Sequence, residues 1–217
     1  MIFDALREKI KSCQECKPKH CHCPPLYFKC NNPDEVKVIV ISEQPMETDN
    51  IITEDSIKEC LRGERRGSPT INDIAELFSE EYKNSILKDG GKFFWTHHTK
   101  CPSSKRNSIQ KNCPQKWLTK EITIFPNLQY IITISSPAHE AIMSMGGCKP
   151  NLTDALWKEF ELVIFNEHYG KDIEIPTIKI CGKVFNYISL PHTTNCNPLS
   201  NFIPYLSPLI RKVEEAI

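Results

Sequence analysis

The chain of 217 residues has no run of about 18 consecutive apolar residues, the length that a helix needs to cross a membrane. Its first residues, MIFDALREKIKSC, mix charged with apolar residues and contain no apolar core of the kind found in secretory signal peptides. Lys+Arg and Asp+Glu number 27 each, so the chain lacks the net charge of a histone-like polycation. We therefore expect a cytoplasmic protein that does not bind membranes.

Glycine is also scarce, with eight residues, whereas cysteine and proline are frequent, with 11 and 16. Structural disulfides are rare in reducing compartments, and an odd number of cysteines cannot pair completely within one chain. We therefore expect some thiolates to bind a metal ion or a metal cluster, and the others to be ordinary buried thiols.

Short apolar runs rich in β-branched residues predict a buried sheet, most clearly at Val36–Ile41 and Leu128–Ile134. The other predicted strands are 92–95, 163–165, 177–181 and 184–190, and the predicted helices are 2–12, 70–87, 114–125, 136–145 and 201–216. Strands that alternate with helices indicate the α/β class, with a mostly parallel central sheet flanked by helices on both faces. We expect one domain over residues 1–217, in which residues 1–33 form a helix and a cysteine-rich arm packed on the rest.

Ligand sites in open α/β sheets form at the carboxyl ends of the strands. The segments that follow four of the predicted strands are SEQPMETD, HHTKCPSSKRN, SSPA and PHTTN. Three of them carry ionisable or amide side chains, so we expect the functional site at this edge of the sheet.

A C-x-x-C pair, Cys13 and Cys16, supplies two thiolates from one turn, which is typical of zinc and of iron–sulfur ligation. Two further ligands have to come from elsewhere in the chain. One alternative is a zinc site within the arm itself, completed by two of His20, Cys21, His22, Cys23 and Cys30.

Basic residues are concentrated in one part of the chain despite the neutral total. Between Lys92 and Lys120 there are seven lysines and arginines and no acidic residue. An isolated run of this kind is usually a solvated surface. Because this one follows the end of a predicted strand, we favour contacts with nucleic-acid phosphates. The residues that we expect to contact the DNA backbone are Lys100, Lys105, Arg106 and Lys111.

The segments at the predicted sheet edge resemble the motifs of the uracil-DNA glycosylase superfamily, most closely those of its iron–sulfur-containing family 4 branch and its relatives. CQEC at 13–16 is similar to the family's amino-terminal C-x-x-C, and SEQPM at 42–46 to its first motif. THHTKCP at 96–102 is similar to its Thr-Asn-x-x-Lys-Cys-x-Pro segment, and LPHTTN at 190–195 lies where the family has His-Pro-Ser. The matching pieces keep the family's order over roughly residues 10–205.

The resemblance implies a monofunctional DNA glycosylase. Such an enzyme flips a deaminated base, most often uracil, out of the duplex and hydrolyses its N-glycosidic bond. The implied partner is DNA that contains a damaged or deaminated base, and we expect the protein to be a monomer. The resemblance also implies a structural 4Fe–4S cluster bound by Cys13, Cys16, Cys101 and Cys113.

Catalytic roles follow from the same resemblance. Glu43 matches the residue that stabilises the sugar cation or polarises water, Asp49 matches a downstream acidic position, and His192 matches the donor to the departing base. The implied substrate-binding residues are Gln44, Pro45, Thr70, His97 and Asn195.

The chain departs from the family motifs around the base. Ser42 and Met46 replace glycines, His97 replaces the asparagine that reads the uracil edge, and Thr70 stands where an aromatic ring stacks on the base. A second hypothesis is therefore a catalytically inactive iron–sulfur protein of the same fold that binds nucleic acid. A third is a zinc-arm protein unrelated to DNA repair.

Overall fold

The computed structural model describes most of the predicted sheet and the helices around it. The described residues are 2–13, 30, 32–43, 76–80, 82, 91–100, 112–148, 154–156, 158, 159, 161, 163, 172–192 and 198–217. The strands are β1 (Val38–Ser42), β2 (Phe93–His97), β3 (Tyr130–Ile134), β4 (Thr177–Ile180) and β5 (Lys183–Leu190). The α-helices are α1 (Ile2–Lys11), α2 (Thr119–Ile124), α3 (Ser136–Met145) and α4 (Ser207–Ala216).

The five strands form one sheet in the order β2-β1-β3-β5-β4. Strand β1 pairs in parallel with β2 and β3, and β3 pairs in parallel with β5, while the edge strand β4 is antiparallel to β5. This confirms the predicted α/β class with a mostly parallel sheet. The cysteine-rich arm lies almost entirely outside the described residues.

Both faces of the sheet are covered, which explains why β1, β2 and β3 are buried along their whole lengths. Successive side chains of a strand point to opposite faces. Accordingly, Val38 and Val40 pack in a cluster with Leu209 and Val213 of α4. The opposite face packs in a second cluster that combines Ile39 and Ile41 of β1 with Leu118, Ile122, Ala138 and Ile142. Helices therefore lie on both faces, as predicted.

Helix α1 packs through an apolar stripe against the start of β2 and against the helical residues 113–117 that precede α2. The ring of Phe3 lies 5.5 Å from the ring of Phe94, centroid to centroid, in an edge-to-face arrangement. One and two turns further on, Leu6 and Ile10 pack with Cys113 and Trp117. This packing brings the end of α1, where the predicted ligand Cys13 follows, close to Cys113.

The elements differ from the predictions most clearly in four places. In the helix predicted for 70–87, residues 76–79 are not helical but form a turn and a bend, whereas residues 80 and 82 are helical. The helix predicted for 114–125 begins as one π-helical turn at Pro114–Leu118 before it becomes α-helical. The last helix is preceded by a 3-10 segment at Pro198–Leu206. The strand predicted for 163–165 is wrong at Val163, which is helical and packs in one cluster with Leu156, two turns before it. Apolar residues at this spacing follow the helical period, which a three-residue run does not distinguish from a strand.

Among the described residues, no helix combines the length and the apolar character needed to cross a membrane.

Candidate functional site at the carboxyl edge of the sheet

The carboxyl ends of β1, β2, β3 and β5 lie at one edge of the sheet because these strands run in parallel. Six of the predicted site residues lie in the described part of the chain: Cys13, Glu43, His97, Lys100, Cys113 and His192. The other ten lie outside it: Cys16, Gln44, Pro45, Asp49, Thr70, Cys101, Lys105, Arg106, Lys111 and Asn195.

Backbone pairing between β1 and β2 continues beyond the strands and brings Glu43 beside the loop after β2. The N–H of His98 donates to the carbonyl of Ser42 at 2.9 Å, and the N–H of Thr99 donates to the carbonyl of Glu43 at 3.2 Å. The Nδ1 of His98 also contacts the carbonyl of Glu43. Because a carbonyl only accepts, Nδ1 carries the proton, and Nε2 accepts from the Thr99 hydroxyl at 3.1 Å.

A second contact joins the two strand ends through side chains on the face covered by α4. The Oγ of Ser42 lies 2.5 Å from Nδ1 of His97 and accepts the indole N–H of Trp95 at 3.2 Å. The Ser42 hydroxyl therefore fixes the orientation of the His97 imidazole. Burial, with smaller contributions from the charges of Lys100 and His98, lowers the pKa of His97 to about 3, so its ring is neutral.

We expect His97 and His98 to remain neutral through the range around pH 6.5 in which exposed histidines titrate. Burial lowers their pKa values to about 3 and about 4. The unfolded chain takes up these protons near pH 6.5 and the native chain does not, so stability falls as the pH decreases below 6.5. Ring-nitrogen NMR shifts measured against pH test this, with the urea-unfolded chain as the control. A native midpoint near pH 6.5 for either ring contradicts it.

Lys100 is placed differently from the sequence prediction. The side chain is 1% exposed, and its ammonium group donates to Oε2 of Glu121 at 2.5 Å, to Oγ1 of Thr96 at 2.6 Å and to the carbonyl of His97 at 2.7 Å. These three acceptors occupy all three hydrogens of the group. The prediction that Lys100 contacts DNA phosphates is therefore wrong, because its charge lies inside the protein.

Glu121, the partner of Lys100, is a residue that the sequence reasoning missed. It is 3% exposed and follows Trp117 by one helical turn on the buried face of α2. Burial raises the pKa of the carboxyl, and the Lys100 ammonium and the Thr96 hydroxyl act in the opposite direction. The sequence feature that could have indicated this role is a carboxylate on an otherwise apolar helical stripe, because a buried carboxylate needs a buried partner.

Two of the four predicted cluster ligands come together. Cys113 is 8% exposed, and Cys13, which is half-buried, packs against the same small apolar cluster. The Sγ of Cys113 accepts the backbone N–H of Lys100 at 3.4 Å. Donor hydrogen bonds to cysteine sulfurs are typical of the surroundings of iron–sulfur clusters. The two described thiols therefore agree with one half of the predicted ligand set, whose other members, Cys16 and Cys101, lie outside the described residues.

Within the described part of the chain, no group of three or more His, Cys, Asp or Glu side chains is arranged to bind a metal ion. Of the residues predicted to complete the alternative zinc site with Cys13 and Cys16, only Cys30 is described. It is buried among apolar residues, and burial raises the pKa of its thiol to about 11, which disfavours a thiolate. This weakens the case for Cys30 as a zinc ligand.

A second polar group that the sequence reasoning missed lies between the carboxyl ends of β3 and β5. The Nδ1 of His139 on α3 contacts the hydroxyls of Tyr187 at 2.7 Å and Ser189 at 3.0 Å. The backbone N–H of Ser189 donates to Oε1 of Glu159 at 3.0 Å. Burial raises the pKa of Glu159 to about 8 and lowers that of His139 to about 4, so both groups are uncharged near neutral pH.

The predicted donor His192 follows β5 by two residues and is half-buried. Since β3 lies between β1 and β5, the backbones that carry Glu43 and His192 are separated by two strand spacings, about 10 Å. The two residues thus leave the same sheet edge on either side of β3.

No family model matches this chain, and no curated protein matches it either.

Proposed function

We propose that this protein is a DNA base glycosylase that excises a deaminated base, most often uracil, from DNA. The observation that supports the proposal most directly is the contact between separate motif segments. The segment at 42–43 is hydrogen-bonded to the segment at 96–100, and Lys100 of the latter is hydrogen-bonded to Cys113. The resemblance to the uracil-DNA glycosylase superfamily requires these segments to form one site.

The chemistry requires a carboxylate near the sugar and a donor near the departing base. In the proposed reaction the flipped nucleotide enters between Glu43 and His192, over the end of β3. Glu43 stabilises the positive charge that develops on the sugar or polarises the attacking water, and His192 donates to the base oxygen as its negative charge develops. The strand spacing of about 10 Å between these residues gives room for a nucleotide that contacts both.

Recognition of the base falls to His97 in place of asparagine. The neutral ring is held in one orientation by Ser42 and is 9% exposed, so it meets the base edge with a fixed geometry. Gln44, Pro45, Asp49, Thr70 and Asn195 keep the roles predicted from the sequence.

The proposed 4Fe–4S cluster has a structural role. Cys13, Cys16, Cys101 and Cys113 would hold it, and its bonds would tie the residues after α1 to the loop after β2. Next to Cys113, the Nζ atoms of Lys116 and Lys120 lie 4.9 Å and 5.0 Å from the ring centroid of Trp117. With Lys105, Arg106 and Lys111, these lysines form the proposed contact surface for the DNA backbone, a role that the buried Lys100 does not fill.

A second candidate function is a catalytically inactive iron–sulfur protein that binds nucleic acid. The contact between Ser42 and His97 favours it, because both side chains are more than nine-tenths buried at the strand ends where a base would have to enter. Activity measurements decide between the two candidates.

Purified protein should produce alkali-labile abasic sites in an oligonucleotide that contains uracil, hypoxanthine or xanthine. We expect Glu43→Ala and His192→Ala each to lower the rate by about 100- to 1,000-fold, as expected for charge-stabilising and proton-donating groups. Glu140→Ala, which removes an exposed carboxylate from α3, is the matched control and should leave the rate unchanged.

Anisotropy titrations of the same variants at two salt concentrations should show unchanged DNA affinity. If the wild-type protein produces no abasic sites with any of the three bases but binds DNA in a salt-dependent way, the glycosylase proposal is wrong and the inactive nucleic-acid-binding protein takes its place. Unchanged rates in both variants would show that the roles of Glu43 and His192 are wrong.

A further inference from the structure

Lys100 takes part in two separate sets of contacts, one through its side chain and one through its backbone. The side chain folds back onto the residues three and four positions before it and reaches across to α2. Its ammonium group donates to the carbonyl of His97, the hydroxyl of Thr96 and the carboxyl of Glu121. The segment 96–100 is thereby closed into a compact loop and attached to the helix that packs on it.

The backbone of the same residue contacts Cys113, one of the predicted cluster ligands. Its N–H donates to the sulfur of Cys113, and its carbonyl carbon is bonded to the nitrogen of Cys101, the next predicted ligand. The position of the Lys100 backbone therefore determines whether this N–H reaches the Cys113 sulfur. A buried lysine and its carboxylate would be expensive to maintain for stability alone, because well-packed apolar residues stabilise such a site equally well.

We propose that Lys100, anchored by Glu121, is a positioning residue for the iron–sulfur cluster, an inference that rests on the proposed function. Lys100 sets the geometry of the cluster and links it to the segment 96–100. The ammonium group holds the start of the segment 96–100 through the carbonyl of His97, and it attaches the segment to α2 through Glu121. The backbone N–H then reaches the Cys113 sulfur at hydrogen-bonding distance. Loss of either side chain should impair the cluster even where the fold is preserved.

The experiment uses the full chain reconstituted anaerobically with iron and sulfide. In Lys100→Met and Glu121→Gln we expect the chelator concentration that removes half of the iron to fall about 10-fold, the lower end of the effect of residues that orient metal ligands. The midpoint reduction potential of the remaining cluster should become more negative, because a donor to sulfur stabilises the reduced form. Cys113→Ser is the positive control, and Lys179→Met, at an exposed lysine of β4, is the matched control that should behave as the wild type.

The double variant Lys100→Met/Glu121→Leu separates positioning from folding. It removes both buried charges, so the iron-free protein should regain the unfolding stability of the wild type while its cluster stays as weakly held as in the single variants. If the double variant recovers iron retention and reduction potential together with stability, the positioning role is overturned. Single variants that retain iron and have the potential of the wild type overturn it as well. A wild-type protein that takes up no iron would instead overturn the cluster in the proposed function, and this role with it.

Discussion

Glu159→Gln should raise the free energy of unfolding at pH 8 by about 5 kcal/mol and have little effect near pH 4.5. The carboxyl is buried, and its pKa is raised from 4.5 to about 8 by that burial, with the N–H and hydroxyl of Ser189 acting in the opposite direction. Between these two pH values the native protein retains a proton that the unfolded chain has released. Wild-type stability should therefore fall by about 1.4 kcal/mol per pH unit as the pH rises through this range.

Urea unfolding of both proteins at several values between pH 4.5 and 8 measures the effect. Glutamine keeps an oxygen that accepts the Ser189 N–H, so the variant separates loss of ionisation from loss of this hydrogen bond. Glu161→Gln, at an exposed helical position two residues away, is the matched control and should follow the wild-type curve. Stability curves for Glu159→Gln and wild type that stay parallel over the whole range would contradict the uncharged buried carboxyl.

Glu121→Leu should lower the free energy of unfolding of the iron-free protein by about 3 to 5 kcal/mol, because it leaves the ammonium of Lys100 buried without its carboxylate. Adding Lys100→Met should restore most of this loss, since two apolar side chains of suitable size pack where the ion pair was. Urea unfolding of the chelator-treated single and double variants measures the coupling. Additive losses in the double variant would mean that the two side chains do not interact energetically.

Both predictions concern polar groups buried at the carboxyl edge of the sheet, where a functional site is expected. Three of the four buried side-chain nitrogen and oxygen atoms that have no hydrogen-bond partner among the described residues lie in the group formed by Ser135, His139 and Glu159. Ser135 also has a φ of 88°, in the region that side chains other than glycine rarely adopt. Backbone strain and unsatisfied polar atoms of this kind are concentrated at functional sites, in agreement with the position of this group at the carboxyl edge.

Local sequence patterns were sufficient to predict the five strands of the sheet and the helices near 2–12, 114–125, 136–145 and 201–216. Runs such as VIVI and YIITI are too short for helices and too rich in β-branched residues for loops, so their period and composition predict buried strands. The amphipathic helix at the amino terminus and the position of the site residues after β1, β2 and β5 followed in the same way. The strand prediction for 163–165 failed at Val163 because three apolar residues show too little periodicity to distinguish a strand from a helix.

The roles of the charged residues, in contrast, depend on contacts between distant parts of the chain. A lysine in a basic run is normally exposed, and nothing local to Lys100 reveals that a carboxylate 21 positions later lies within hydrogen-bonding distance. The same applies to Glu159, which meets Ser189 only because β5 extends beyond its antiparallel neighbour β4 and leaves a strand N–H to be satisfied. Local patterns fix which face of an element is apolar, whereas the protonation state and the partner of a buried charge depend on chain segments that meet only after folding.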